Sequence, residues 1–190
     1  MKKTEEKILK AATKLFSEKG YSNTSTKKIA EVAGVNEVTI FRTFKTKSKV
    51  LQEVIRHFSY EGNIIQKISS EITGDLKQDM YIFAHTYYMF LVNNIKLYKI
   101  QVREMREDGE RFTNSIDYVD YMVDYLNQWV QKGEFTGSPQ EVSTGLVAMI
   151  MGIFTLEVFS PDIYHGMDDK RLINLFVENM IQLYCPNIEL

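Results

Sequence analysis

Apolar residues recur at three- and four-residue steps along nearly the whole chain, and no convincing run alternates apolar and polar positions as a strand would. The pattern predicts an all-α protein of about nine helices, at residues 4–19, 27–33, 37–43, 47–70, 75–94, 96–107, 110–132, 140–159 and 168–184. Local punctuation agrees with these limits. Thr4 is suited to cap the first helix, and Gly20 to stop it. Gly34-Val35 separates the second helix from the third. Thr46 can cap the fourth, whose core stripe includes Val50, Leu51, Val54 and Phe58. Gly74-Asp75 and Asp108-Gly109 interrupt the pattern later. Residues 133–139 form a loop that ends with Ser138 as a cap and Pro139 at the first helical position.

The 190 residues are enough to bury a substantial core. The long apolar run at 146–159 contains Glu157 and falls short of the roughly 20 residues that span a bilayer. A buried helix is the expectation, and no membrane partner is. No signal-peptide pattern opens the chain, and Cys185 has no second cysteine to pair with, so a reducing cytoplasm is expected. Charge is unevenly spread under the small net of −2. Residues 1–56 hold 13 of the 23 Lys and Arg but 6 of the 25 Asp and Glu, a net of +7 against −9 for the remainder. A basic end on an acidic body points to a polyanion met at that end only.

The second and third helices are each too short to be stable alone, so they must lean on each other and on the first. Ile29, Ala30, Ala33, Val35, Ile40 and Phe44 offer the contacts, and Ala30 and Ala33 are small enough for a close crossing. Gly34 permits the positive φ of a sharp turn, and Asn36 offers its side-chain oxygen to the free amides opening the third helix. This is the make-up of a helix-turn-helix, whose second helix enters the major groove of DNA. Asn36, Glu37, Val38 and Arg42 would face outward or lead. Arg42 suits guanine O6 and N7, Glu37 a cytosine amino group, and Val38 a thymine methyl. Thr26, Lys27, Thr39 and Lys47 suit phosphates as hydroxyls or cations beside helix amino termini.

Residues 8–51 resemble the DNA-binding region of the tetracycline-repressor (TetR) family of bacterial transcription regulators. The resemblance rests on Ile8-Leu-x-Ala-Ala-x-x-Leu-Phe, Lys19-Gly-Tyr, Thr24-Ser-Thr-Lys-Lys-Ile-Ala-Glu-Val-Ala-Gly-Val and Thr39-Ile-Phe-Arg-Thr-Phe-Lys-Thr-Lys47, matched without a gap. It implies a helix-turn-helix domain over residues 1–47 and a helical effector-binding and dimerisation domain over 48–190. Two departures stand out. The family commonly has tyrosine where this chain has Phe41, whose ring can pack on the sugar-phosphate wall but cannot donate to a phosphate. Thr46 is followed three residues on by Lys49 where the family often has glutamate.

One such helix buries too little surface for a tight site, so two copies about 34 Å apart should read a palindromic double-stranded operator as a homodimer. Leu172, Leu175, Phe176, Asn179, Met180 and Leu183 recur on one face of the last helix, and Gly145, Ala148, Met149 and Gly152 give the preceding helix a face of small residues. Paired about a two-fold axis these would make a four-helix bundle. Intrachain core is the other reading of both stripes.

Residues 80–130 are rich in aromatic residues and methionine. Tyr81, His85, Tyr88, Met105, Tyr118, Tyr121, Met122, Tyr125 and Trp129 are the candidates to line a pocket for an apolar or aromatic effector with a few polar handles. A core finished with tyrosines is the plainer alternative. The resemblance implies a repressor released by that effector. Catalysis is not expected, because His57, His85 and His165 are scattered and no nucleophile elbow, phosphate-cradling loop or metal-ligand spacing occurs. No cofactor or metal is expected. A helical ligand-binding or scaffold protein that no longer binds DNA is the competing class, distinguished by having no salt-dependent affinity to lose.

Overall fold

The computed structural model describes residues 3–59, 64–104 and 113–185, with the side chains at 57–59, 103–104 and 113–116 outside that description. The described residues form eleven helices rather than about nine: α1 (Lys3–Lys19), α2 (Thr26–Ala33), α3 (Glu37–Phe44), α4 (Lys47–Ser59), α5 (Ile64–Glu71), α6 (Leu76–Asn93), α7 (Ile95–Glu104), α8 (Thr113–Gln131), α9 (Pro139–Phe159), α10 (Pro161–Tyr164) and α11 (Asp169–Tyr184). The extra two have simple origins. The stretch expected as one helix over 47–70 holds two described helices, α4 and α5. The stretch between the helices expected at 140–159 and 168–184 holds a single turn that starts at Pro161, where the missing N–H costs nothing.

The chain folds as two compact units, residues 1–62 with 94–112 and residues 63–93 with 113–190. The unit holding the helix-turn-helix therefore extends past residue 47, to α4 and α7. In it, α1 packs against α2, α4 and α7, while α3 packs on α2 and α4. The reason is visible in α1, where Ile8, Leu9, Ala12, Leu15 and Phe16 share one side and are nearly inaccessible. They meet Ile29, Ala30, Ile40, Phe44, Val50, Val54 and Ile100 in one core.

In the second unit α9 packs on α6, α8 and α10, and α6 also carries α5 and α11. Phe83, Tyr87, Tyr118, Met122, Leu126, Leu146, Ile150, Phe154, Ile173, Val177 and Ile181 lie at its centre. With 21 residues α9 is the one described helix long and apolar enough to cross a membrane. Its neighbours bury Val142, Leu146, Val147, Ile150, Ile153 and Phe154 of it, and Glu157 near its end accepts a hydrogen bond from Tyr88.

Buried Asp79 organises the entry to α6. Its carboxylate accepts from the Thr73 N–H and Thr73 Oγ1 at 2.8 Å each, from the Gly74 N–H at 2.9 Å and from the Tyr125 hydroxyl at 2.5 Å. Burial alone would push its pKa up, but the bonds from Tyr125, Thr73 and Gly74 outweigh that and hold it below the ordinary carboxylate value. The same burial, with Asp79 beside it, pushes the Tyr125 phenol up.

Candidate functional site

The geometry of α2 and α3 begins with their ends. Ser25 caps α2 by accepting from the Lys28 N–H, and Gly34 closes it in the left-handed conformation, φ +66°. Asn36 caps α3, its Oδ1 accepting from the Val38 N–H at 2.9 Å. Ile40 and Phe44 anchor α3 in the core. The opposite side of α3 is open: Val38 is 57% and Phe41 47% exposed, with Arg42 and Asn36 also exposed and Thr39 half-buried. An apolar, an aromatic and a guanidinium side chain thus stand outward on a helix that its own unit grips from behind. Lys27 is exposed on the first turn of α2.

Three contacts were not legible in the sequence. Thr26 Oγ1 donates to Glu37 Oε1 at 2.6 Å, joining the first residues of α2 and α3. Lys47 Nζ donates to the carbonyls of Tyr21 and Thr24 at 3.0 Å each and lies 4.1 Å from the Tyr21 ring centroid. The ammonium expected at a phosphate is thus half-buried, with two of its N–H groups spent on holding the loop before α2. Those two bonds leave one N–H of the ammonium. Lys45 is the third feature. It sits at φ 68° and ψ −45°, and the Thr46 N–H donates across it to the Phe44 carbonyl at 2.8 Å. That is a γ-turn of the rare positive-φ kind, which places an exposed cation directly after α3. Thr46 then caps α4 by accepting from the Lys49 N–H at 3.0 Å.

The two faces proposed for self-association are open to solvent in the single chain. Leu175 is 51%, Phe176 41% and Leu183 67% exposed. Asn179, Ala148 and Gly152 are exposed too, and Leu172, Met180, Gly145 and Met149 are half-buried. The intrachain packing of α11 is done by a different stripe, Ile173, Val177 and Ile181.

The expected effector-lining set divides. Tyr118 and Met122 are fully buried, and the Tyr118 hydroxyl donates to the Phe83 carbonyl at 3.0 Å. The Tyr118 ring packs 4.7 Å from Tyr87, and Phe83 is ringed by Tyr118, Tyr121 and Tyr125 at 5.2–6.0 Å. Tyr125 packs on Trp129, which Lys132 covers from 3.9 Å. These α8 side chains fill space with one another and with α6. Tyr81 and His85 instead line an open groove of about 310 Å³ with Ile82, Thr86 and Met89 of α6 and Lys67 and Glu71 of α5. Tyr81 donates to Glu178 at 3.3 Å, and His85 Nε2 lies 2.6 Å from Asn174 Oδ1. Tyr88 donates toward Glu157 and Asp169, and burial followed by these two carboxylates pushes its phenol far up. Met105 lies outside the described residues.

Comparison with known proteins adds to this geometry. The sequence pattern of the bacterial regulatory proteins of the tetR family matches residues 8–54. The uncharacterized HTH-type transcriptional regulator YvkB of Bacillus subtilis strain 168 is 30% identical over 190 residues, covering 95% of this chain and 98% of that protein. Among solved structures, the fatty acid degradation regulator FadR from Bacillus halodurans is similar with a TM-score of 0.75 at 20% identity, over 95% of each chain. SmeT, the repressor of the Stenotrophomonas maltophilia multidrug efflux pump SmeDEF, is similar with a TM-score of 0.72 at 22% identity, over 96% of this chain and 91% of that one.

Proposed function

The chain belongs to the tetR family of bacterial regulatory proteins and is a DNA-binding regulator of transcription; from that premise we propose that it represses by occupying a palindromic operator as a homodimer and leaves when a small molecule binds its body. The observation that carries the DNA reading is α3 itself: capped by Asn36, anchored by Ile40 and Phe44, and presenting Val38, Phe41 and Arg42 outward. Arg42 reads guanine, Val38 meets a thymine methyl, and Phe41 lies against the sugar-phosphate wall. Lys27, Thr39 and Lys45 supply phosphate contacts, with the third N–H of Lys47 beside them. A partner of this kind sets the protein's place in the cytoplasm.

Dimerisation is supported by the exposed faces of α9 and α11, because Leu175, Phe176 and Leu183 exceed what a soluble helix needs to show to water. Joined across a two-fold axis, two such helix pairs bring two copies of α3 into one molecule, and an inverted repeat calls for two. A dimer on a promoter blocks initiation by occupancy. The effector is an apolar or aromatic molecule with polar handles. The α5–α6 groove with Tyr81 and His85 supports this reading, since both side chains also hold α11 through Glu178 and Asn174. A molecule that takes either partner away biases the helix that carries the dimer face, and release follows from its unequal affinity for two arrangements.

Recovery of genomic fragments bound by the purified protein tests the reading. The expected result is a short inverted repeat, with two chains per repeat by sedimentation. Fragments with no shared sequence would overturn it.

A further inference from the structure

Thr26 has a single hydroxyl proton, and the structure spends it on Glu37. The 2.6 Å bond spans eleven residues, linking the first residue of α2 to the first residue of α3, with both side chains half-buried. A hydroxyl that donates to a carboxylate has only acceptor capacity left, and a phosphate oxygen has no proton to offer it. In this arrangement the Thr26 hydroxyl has no proton left for a phosphate, the role the sequence first suggests for that hydroxyl.

Glu37 gains what Thr26 gives up. An unrestrained glutamate on the leading turn of a reading helix has three free torsions and meets the repulsion of the DNA phosphates. Here one oxygen is fixed by Thr26, and the carboxylate stands beside the amino termini of α2 and α3, whose dipoles favour an anion. Its other oxygen is left to accept from the major groove. Cytosine presents only its amino group there, whereas adenine sets N7 beside its amino group and repels a carboxylate, and guanine N7 and O6 and thymine O4 repel it outright.

We propose that Thr26 is a positioning residue that holds Glu37 to accept from a cytosine amino group, making the pair a specificity determinant of the operator half-site. This inference rests on the DNA-binding reading above.

Selection from a randomised duplex library with the wild type, Thr26→Val, Thr26→Ser and Glu37→Gln tests it. The wild type should enrich cytosine at one position in each half-site. Glu37→Gln should move that preference toward adenine, whose N6 and N7 match an amide. Thr26→Val should weaken the cytosine preference at that position about tenfold, within the range for one base contact, while leaving the salt dependence of binding unchanged. Thr26→Ser, which keeps the hydroxyl, should restore it. Thr26→Val that lowers affinity for all sequences alike and reduces the salt slope by about one would show a phosphate contact and overturn the proposal. So would an unchanged base preference in Glu37→Gln. A wild type that enriches no sequence would instead refute the DNA-binding reading and this inference with it.

Discussion

Replacing Asp79 by asparagine changes one atom in a site where four donors converge. The carboxylate accepts from the Thr73 and Gly74 N–H groups and from the Thr73 and Tyr125 hydroxyls. Asparagine keeps one oxygen for Thr73 but turns an NH2 toward the Gly74 N–H. The Tyr125 hydroxyl can rotate and accept; the Gly74 N–H cannot, and it is left facing another donor. An orphaned buried donor costs about 1–3 kcal/mol, and each surviving bond also loses its charge. The expected loss is therefore roughly 3 kcal/mol, a large part of a typical domain's stability. Tyr125→Phe removes one donor and leaves three on the carboxylate, so it should cost less, about 1.5 kcal/mol. Urea denaturation at one fixed protein concentration measures both, since self-association makes midpoints concentration-dependent. The pH dependence gives a second check. The folded pKa of Asp79 lies below its ordinary value of 3.8. Its contribution is thus complete above that value and disappears as pH falls through the folded pKa. The gap between wild type and Asp79→Asn should be constant near neutrality and narrow in acid. An asparagine variant within 1 kcal/mol of wild type, or one less damaging than Tyr125→Phe, would refute the reasoning.

Further expectations concern the head, the seam and the carboxy-terminal tie. Gly34→Ala should destabilise by about 1–2 kcal/mol through the left-handed backbone alone, because open space surrounds the new methyl group, and Gly34→Asn should cost less on the same denaturation curve. Phe41→Tyr should tighten operator binding by about 0.5–1.5 kcal/mol in fluorescence anisotropy, since the exposed ring has room to bring a hydroxyl to a phosphate; unchanged or weaker binding would remove Phe41 from the interface. Leu175→Glu should shift sedimentation toward single chains with helical circular dichroism intact, whereas persistence of dimers would move the seam elsewhere. Gly137→Ala would place a methyl group 2.6 Å from Tyr184 Cδ1 and 2.9 Å from Cγ, and should cost about 1–3 kcal/mol by unfolding, because Thr136 ties its N–H and hydroxyl to the Tyr184 carbonyl and that loop has little freedom to yield.

What the sequence disclosed was local and periodic. Asn36 as a cap and Gly34 as a turn could be named because each acts within four residues of itself, and both are found in those roles. Periodicity identified α11 but could not say which of its stripes turned inward. Ile173, Val177 and Ile181 pack, while Leu175, Phe176 and Leu183 do not, and the difference lies in where α6 and α9 run. The aromatic stripe of α8 shows the same limit. Tyr118, Tyr121 and Tyr125 recur at three- and four-residue steps, yet only tertiary structure shows Phe83 and Tyr87 filling the space they face. The contacts of Lys47 with Tyr21 and Thr24, and of Thr26 with Glu37, join residues 11 to 26 apart, beyond the reach of any helical period.

The most direct test is sedimentation equilibrium of the protein with a fluorescent duplex carrying its selected inverted repeat, between 50 and 200 mM salt. The account predicts two chains on each duplex, with affinity falling by about a thousandfold or more across that range. Single chains at every loading, with the duplex sedimenting alone at the lowest salt, would contradict it.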